Sequence, residues 1–108
     1  MDLLEEARSA TGREGVVWAL EGSKDLNANL VLFGAGGGVG EHVNDEVDVL
    51  IVGVSGSGSV RIEGEEHPVS NGVVVFVPRG ARRYTRATSE GFAYLSVHRR
   101  RGPLRIGG

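Results

Sequence analysis

After Gly12 this chain offers no stretch suited to an α-helix, only short β-branched or aromatic runs broken by turn residues. Val16 to Leu20, Leu30 to Phe33, Val47 to Val52, Val60 to Ile62, Val73 to Val77 and Phe92 to Val97 are each bounded by Gly, Asn, Ser or Pro. Runs this short and this closely spaced, with nothing helical between them, argue against βαβ units and predict an all-β sandwich or barrel. The 18 glycines fit that reading, because a small barrel needs many tight turns and bends. Ahead of the strands, Asp2 is placed to cap a short helix running through about Ala10, with Leu3, Leu4 and Ala7 on one apolar side and Thr11-Gly12 ending it. The expected organisation is therefore a helical arm over residues 1–14 and a single barrel domain over 15–108, since 108 residues suffice for one core and not two.

Composition removes several classes of function. The chain has no cysteine, which excludes a disulfide framework, a thiolate nucleophile and a zinc knuckle. No apolar run approaches the roughly 20 residues needed to span a bilayer. Met1 to Ala10 carries acids and an arginine where a signal peptide would be apolar. The cytoplasm is the expected compartment, with no membrane partner. Charge is distributed unevenly: residues 1–78 hold four basic side chains against thirteen acids, and residues 79–108 hold eight arginines against Glu90 alone. Such asymmetry can mark a nucleic-acid face, but solvated arginines, or arginines paired with the acids of the first half once the chain is folded, explain it more simply, so nucleic acid is not the expected partner. The glycine cluster from Gly34 to Gly40 looks like a dinucleotide loop and is not one. No start within it places glycines at i, i+2 and i+5, and a strand-like segment follows where a helix N-terminus is required.

The chemistry-bearing residues sit in two spaced groups. In the first, five residues separate Gly34 from Gly40, then come His42, Glu46 and Gly53; in the second, five residues separate Gly72 from Pro78, then come Gly80, Arg83 and Ala87. Strand side chains alternate, so if Glu46 points into the barrel, Asp48, Leu50 and Val52 share its face and Val47, Val49 and Ile51 pack on the other. Two carboxylates on one inner face call for a cation, and Arg83, permanently charged and able to bridge carboxylates bidentately, is the natural one. The competing arrangement has Asp48 wet near the end of its strand and Arg83 pointing outward with Arg82.

These two groups resemble the paired motifs of the cupins, G-x5-H-x-H-x3/4-E-x6-G and G-x5-P-x-G-x2-H-x3-N, in every glycine, the proline, one histidine and the glutamate. The resemblance covers residues about 28–98. It implies a jelly-roll β-barrel whose two motifs form opposing hairpins, with Pro78-Arg79-Gly80 as a turn. In such proteins both histidines of H-x-H, the glutamate and the second-motif histidine converge on one metal ion. Here Gly40 stands at the first histidine and Arg83 at the last, so the resemblance implies that only His42 and Glu46 retain ligand atoms. One imidazole and one carboxylate fall short of the three or four protein ligands typical of a tight first-row site, and a fixed cation beside them opposes metal binding further. If iron, manganese or zinc were held, His42, Glu46 and Asp48 would be the ligands, with His67 in a turn or His98 on the last strand as a fourth. The alternative for His42 is a barrel histidine hydrogen-bonded to Glu46.

The functional expectation is a barrel pocket lacking the standard metal ligands and binding a small polar or anionic molecule through His42, Glu46, Asp48 and Arg83. The alternatives are an oxygenase or isomerase with a non-standard His/carboxylate metal set, a metal-free isomerase using Glu46 and His42 as base and acid, and a regulatory module with an arginine-rich surface. Trp18, Phe33, Phe76, Phe92 and Tyr94 are expected in the core or at subunit contacts. Ser55-Gly56-Ser57-Gly58-Ser59 is expected to form a flexible hairpin turn. By analogy with small cupins, whose sheet edges need covering, the chain is expected to be a homodimer.

Overall fold

A computed structural model describes residues 1–101; positions 102–108 of the expected barrel domain lie outside the described residues. Helix α1 (Leu3–Ser9) begins where the sequence indicates, the Asp2 carboxylate accepting the Glu5 N–H at 3.1 Å. Among the described residues nine strands follow: β1 (Gly15–Ala19), β2 (Leu26–Phe33), β3 (Gly38–Val43), β4 (Val49–Ser55), β5 (Gly58–Ile62), β6 (Glu65–Val69), β7 (Val74–Val77), β8 (Arg82–Ala87) and β9 (Phe92–Arg99). They form two antiparallel sheets, β1-β2-β9-β4-β7 and β3-β8-β5-β6, packed face to face as a jelly roll. Among the described residues no helix is long and apolar enough to cross a membrane.

Three of these strands, β3, β6 and β8, were not expected from the pattern of β-branched runs. All three belong to the four-stranded sheet. Its outer face is wet, so β3 carries glycines, β6 carries Glu65, Glu66 and Pro68, and β8 carries Arg82, Arg83 and Arg86, which lowers their apparent strand character. The five-stranded sheet is covered on its inner face and, over part of its outer face, by α1. Between the sheets lie Val49, Ile51, Val60, Val69, Val77 and Phe92, while on the outer side α1 lays Ala7 and Ala10 over Leu30, Leu32, Val54 and Ala93. Where α1 does not reach, Leu26, Leu50, Val74 and Phe76 stay exposed, so Phe76 is not a core residue of this chain.

The serine-glycine stretch is a correction to the expected flexible hairpin. It carries the chain from β4 in one sheet to β5 in the other, and it is pinned. Ser57 N–H donates to Ser89 Oγ at 2.9 Å, the Ser57 carbonyl accepts from Thr88 and Ser89 N–H, and buried Gly58 lies so close to Phe92 that a Cβ there would overlap the ring. The motif glycine Gly53 is equally constrained, because a Cβ would run into the Ser70 carbonyl.

Candidate functional site

The inner faces of the sheets flank a cavity of about 250 Å³ that opens to solvent beside Val16 and Val39. Its polar lining comes from four strands: Asn29 on β2, His42 on β3, Arg83 and Thr85 on β8, and Tyr94 and Ser96 on β9. Val31, Phe33, Val39 and Ile51 form the apolar wall. Strand alternation explains the set, since Arg83 and Thr85 are two apart on β8, as are Tyr94 and Ser96 on β9. Register then places Asn29 opposite Ser96 and Val31 opposite Tyr94 across the β2–β9 pair. The strand face carrying Tyr94 and Ser96, undecided from the sequence, looks inward.

His42 and Arg83 are direct cross-strand partners on β3 and β8. The Arg83 Nε–H donates to His42 Nε2 at 3.2 Å, and His42 Nδ1 lies 2.9 Å from the Gly40 carbonyl oxygen. An arginine can only donate, so Nε2 carries the lone pair, Nδ1 carries the proton, and His42 is the neutral tautomer bonded to Gly40. Gly40, at the position lacking a ligand atom, thus contributes its carbonyl to orient the ring. His42 is not bonded to Glu46.

Glu46 and Asp48 lie elsewhere, and this corrects the inward reading of their strand. Strand β4 begins only at Val49, and it is Val47, Val49 and Ile51 that are buried, whereas Glu46, Asp48 and Leu50 face solvent. The Glu46 carboxylate sits 3.8 Å from Arg101 Nε, and its carbonyl accepts from the Arg99 guanidinium at 2.8 Å. Asp48 accepts the Arg79 N–H at 2.8 Å, tying the residue that precedes β4 to the Pro78-Arg79-Gly80 turn. Of the four residues singled out in the sequence, the structure brings His42 and Arg83 together and leaves Glu46 and Asp48 outside the cavity. The polar lining residues that sequence reasoning did not assign to the site were Asn29, Thr85, Tyr94 and Ser96, Tyr94 having been expected in the core or at a subunit contact, although a polar residue at every second position of β9 after Phe92 was a usable signal.

Arg83 is half-buried, and burial lowers its pKa, with Arg101 adding to that direction and Tyr94 opposing it. A guanidinium nevertheless stays charged at any ordinary pH. Among the described residues Arg83 has no carboxylate partner, whereas Arg8, Arg61, Arg82 and Arg101 pair with Glu5, Glu66, Glu41 and Glu46 respectively. Four of its five N–H donors, those on the two Nη atoms, remain after the bond to His42. Tyr94 cannot neutralise it. Burial pushes the phenol up to about 12 against smaller opposing effects from Thr85 and Arg83, so the hydroxyl is uncharged, and the ring is tilted 38° against Phe92 with 5.2 Å between centroids.

These donors do not fit a divalent metal. Among the described residues no three His, Asp or Glu side chains converge. The one imidazole in the cavity spends its Nε2 lone pair on an arginine, and His98 Nδ1 is engaged with the Arg99 carbonyl at 2.8 Å. His67 lies on β6, outside the cavity lining.

Comparison with known proteins agrees with this architecture. The family profile described as the cupin domain matches residues 29–98. No curated protein matches the chain. Among solved structures, KdgF from Halomonas sp. is similar with a TM-score of 0.73 and 22% identity, over 79% of this chain and 77% of that one. TT1209 from Thermus thermophilus gives a TM-score of 0.72 and 26% identity over 95% and 97% of the two chains. A cupin superfamily protein, DSY2733 from Desulfitobacterium hafniense, gives 0.72 and 22% over 84% of each. Motif spacing, two packed antiparallel sheets and a profile match spanning β2 to β9 converge on one assignment: the chain belongs to the cupin family.

Proposed function

We propose that this cupin barrel is a binding protein whose pocket takes a small polar or anionic molecule, with Arg83 as the anchor. The observation that carries the reading is a half-buried guanidinium on the wall of a cavity, its Nη donors free and no carboxylate paired with it among the described residues. Taking a cation partly out of water without a counter-charge is unfavourable, and a ligand oxygen supplies what the protein leaves out. Among the described residues the cavity lining includes no Asp or Glu, so a Glu46/His42 acid-base pair has no support in the geometry. Thermal-shift screening of small polar metabolites against the native chain and Arg83→Gln tests the proposal. Stabilisation by a ligand that disappears in the variant is expected; stabilisation unaffected by the variant would remove Arg83 from the site.

A homodimer is a second part of the proposal, supported by the uncovered apolar residues Val74 and Phe76 on edge strand β7. A monomeric mass by light scattering at micromolar protein would refute it.

A further inference from the structure

We propose that the ligand class is a small monocarboxylate with an apolar body, held end-on by the two Nη groups of Arg83. This deepens the binding reading above and rests on it.

The charge count sets the class. Among the described residues, Arg83 is the one formally charged side chain lining the cavity. His42 is neutral because Nε2 accepts from Arg83, and Tyr94 is a neutral phenol. Arg101, whose charge reaches Arg83, is outside the lining and already paired with Glu46, so the one cation of the cavity balances one negative charge. A second carboxylate, or the second charge of a phosphate, would lie unpaired against Val31, Phe33 and Ile51, where desolvation works against it.

The free edge of the arginine sets the geometry. His42 occupies Nε, so the side-on edge of the guanidinium is taken and the Nη1/Nη2 edge remains. Two parallel N–H groups match the two oxygens of a planar carboxylate, and a single carbonyl or hydroxyl would leave one of them unmet. His42 is thus a positioning residue, holding the plane of the fork through its own bond to Gly40.

The rest of the cavity sets the body. Beyond Arg83 the wall is largely aliphatic and aromatic, with Asn29 and Ser96 adjacent across β2 and β9 and able to meet one hydroxyl or carbonyl of the ligand. A volume of about 250 Å³ corresponds to roughly eight waters at liquid density, which suits a ligand whose buried part has about that many heavy atoms.

Calorimetric titration of the full chain with benzoate, 3-methylbutanoate, benzamide, succinate and inorganic phosphate tests this, with Arg83→Gln and Arg83→Lys run alongside. Benzoate or 3-methylbutanoate is expected to bind roughly tenfold or more tightly than benzamide, with that margin lost in Arg83→Gln. Arg83→Lys keeps the charge without the fork and should lose most of the margin, which preserves the test if the glutamine variant does not fold. Succinate or phosphate binding as tightly as the monocarboxylates, and dependent on Arg83, would overturn the monoanion assignment while leaving the pocket reading intact. Benzamide matching benzoate would overturn the carboxylate assignment alone. If no probe binds, or binding ignores both variants, the inference and the pocket reading fall together.

Discussion

Strands β8 and β9 each build two different environments on one inner face. Along β8 the inward residues run Arg83, Thr85, Ala87; along β9 they run Phe92, Tyr94, Ser96. The chain turns between Ala87 and Phe92, and there the space between the sheets is dry, with Phe92, Val60 and Ala87 essentially inaccessible. Away from that turn the same two strands pass through a hydroxyl and a phenol to a guanidinium and a serine, and a cavity appears. Position along the strand, rather than a change of fold, separates structural core from binding site. The dry end can hold the sheets together while the other end carries an unpaired charge, which would be intolerable deeper in the barrel.

Substitutions at the dry end should have the largest effect on stability. Phe92→Ala is expected to cost about 3–5 kcal/mol in denaturant unfolding, from lost burial and the cavity left behind. Gly58→Val should be similarly damaging, because its side chain must occupy the space of the Phe92 ring. Arg83→Gln should break the symmetry of the comparison: stability is expected to stay within about 1 kcal/mol of the native chain, since a partly desolvated charge is removed, while monocarboxylate affinity falls roughly ten- to a hundredfold. A loss of stability equal to that of Phe92→Ala would mean the two ends are one core.

Tyr94, midway between the ends, sharpens the boundary through pH. Its folded-state pKa is raised from 10.0 to about 12, chiefly by burial. The folded chain therefore holds this proton more tightly than the unfolded chain does. The associated stability is complete below about pH 10 and is lost as pH rises towards about 12. Denaturation midpoints across that window should fall for the native chain, and Tyr94→Phe should remove its part of the slope.

Smaller effects are expected outside the cavity. Asp48→Ala should cost about 1 kcal/mol through loss of the Arg79 N–H bond, and neither it nor Glu46→Gln should change pocket affinity by more than about twofold. Elemental analysis after incubation with iron, manganese or zinc should find no stoichiometric metal, because the donors are dispersed and the His42 lone pair is engaged. Near one metal per chain, lost in His42→Ala, would contradict the arrangement described for this site.

How far the site could be read in advance depended on the distance over which each property is decided. His42 and Arg83 were legible as a pair because each stands at a defined position in a spaced motif, and the glycines that hold the motif in place act locally: Gly72 and Gly80 have φ of 85° and 84°. Glu46 and Asp48 were misplaced because facing is a matter of parity. The assumption that Glu46 points inward reverses every residue after it, whereas the alternation of Glu46 and Asp48 with Val47, Val49 and Ile51 pointed the other way.

From the amino-acid order alone came the helix cap at Asp2, the all-β class, the cupin resemblance and the loss of half of its usual ligand set, since each depends on residue type at short, countable spacings. Tertiary structure alone decided that His42 meets Arg83 instead of Glu46, that Asn29, Thr85, Tyr94 and Ser96 complete the polar lining, and that Glu41 and Glu46 pair with other arginines outside while Asp48 takes a backbone N–H. Those contacts join strands far apart in the chain, and their partners are set by which sheet faces pack together, a choice made by the whole core at once.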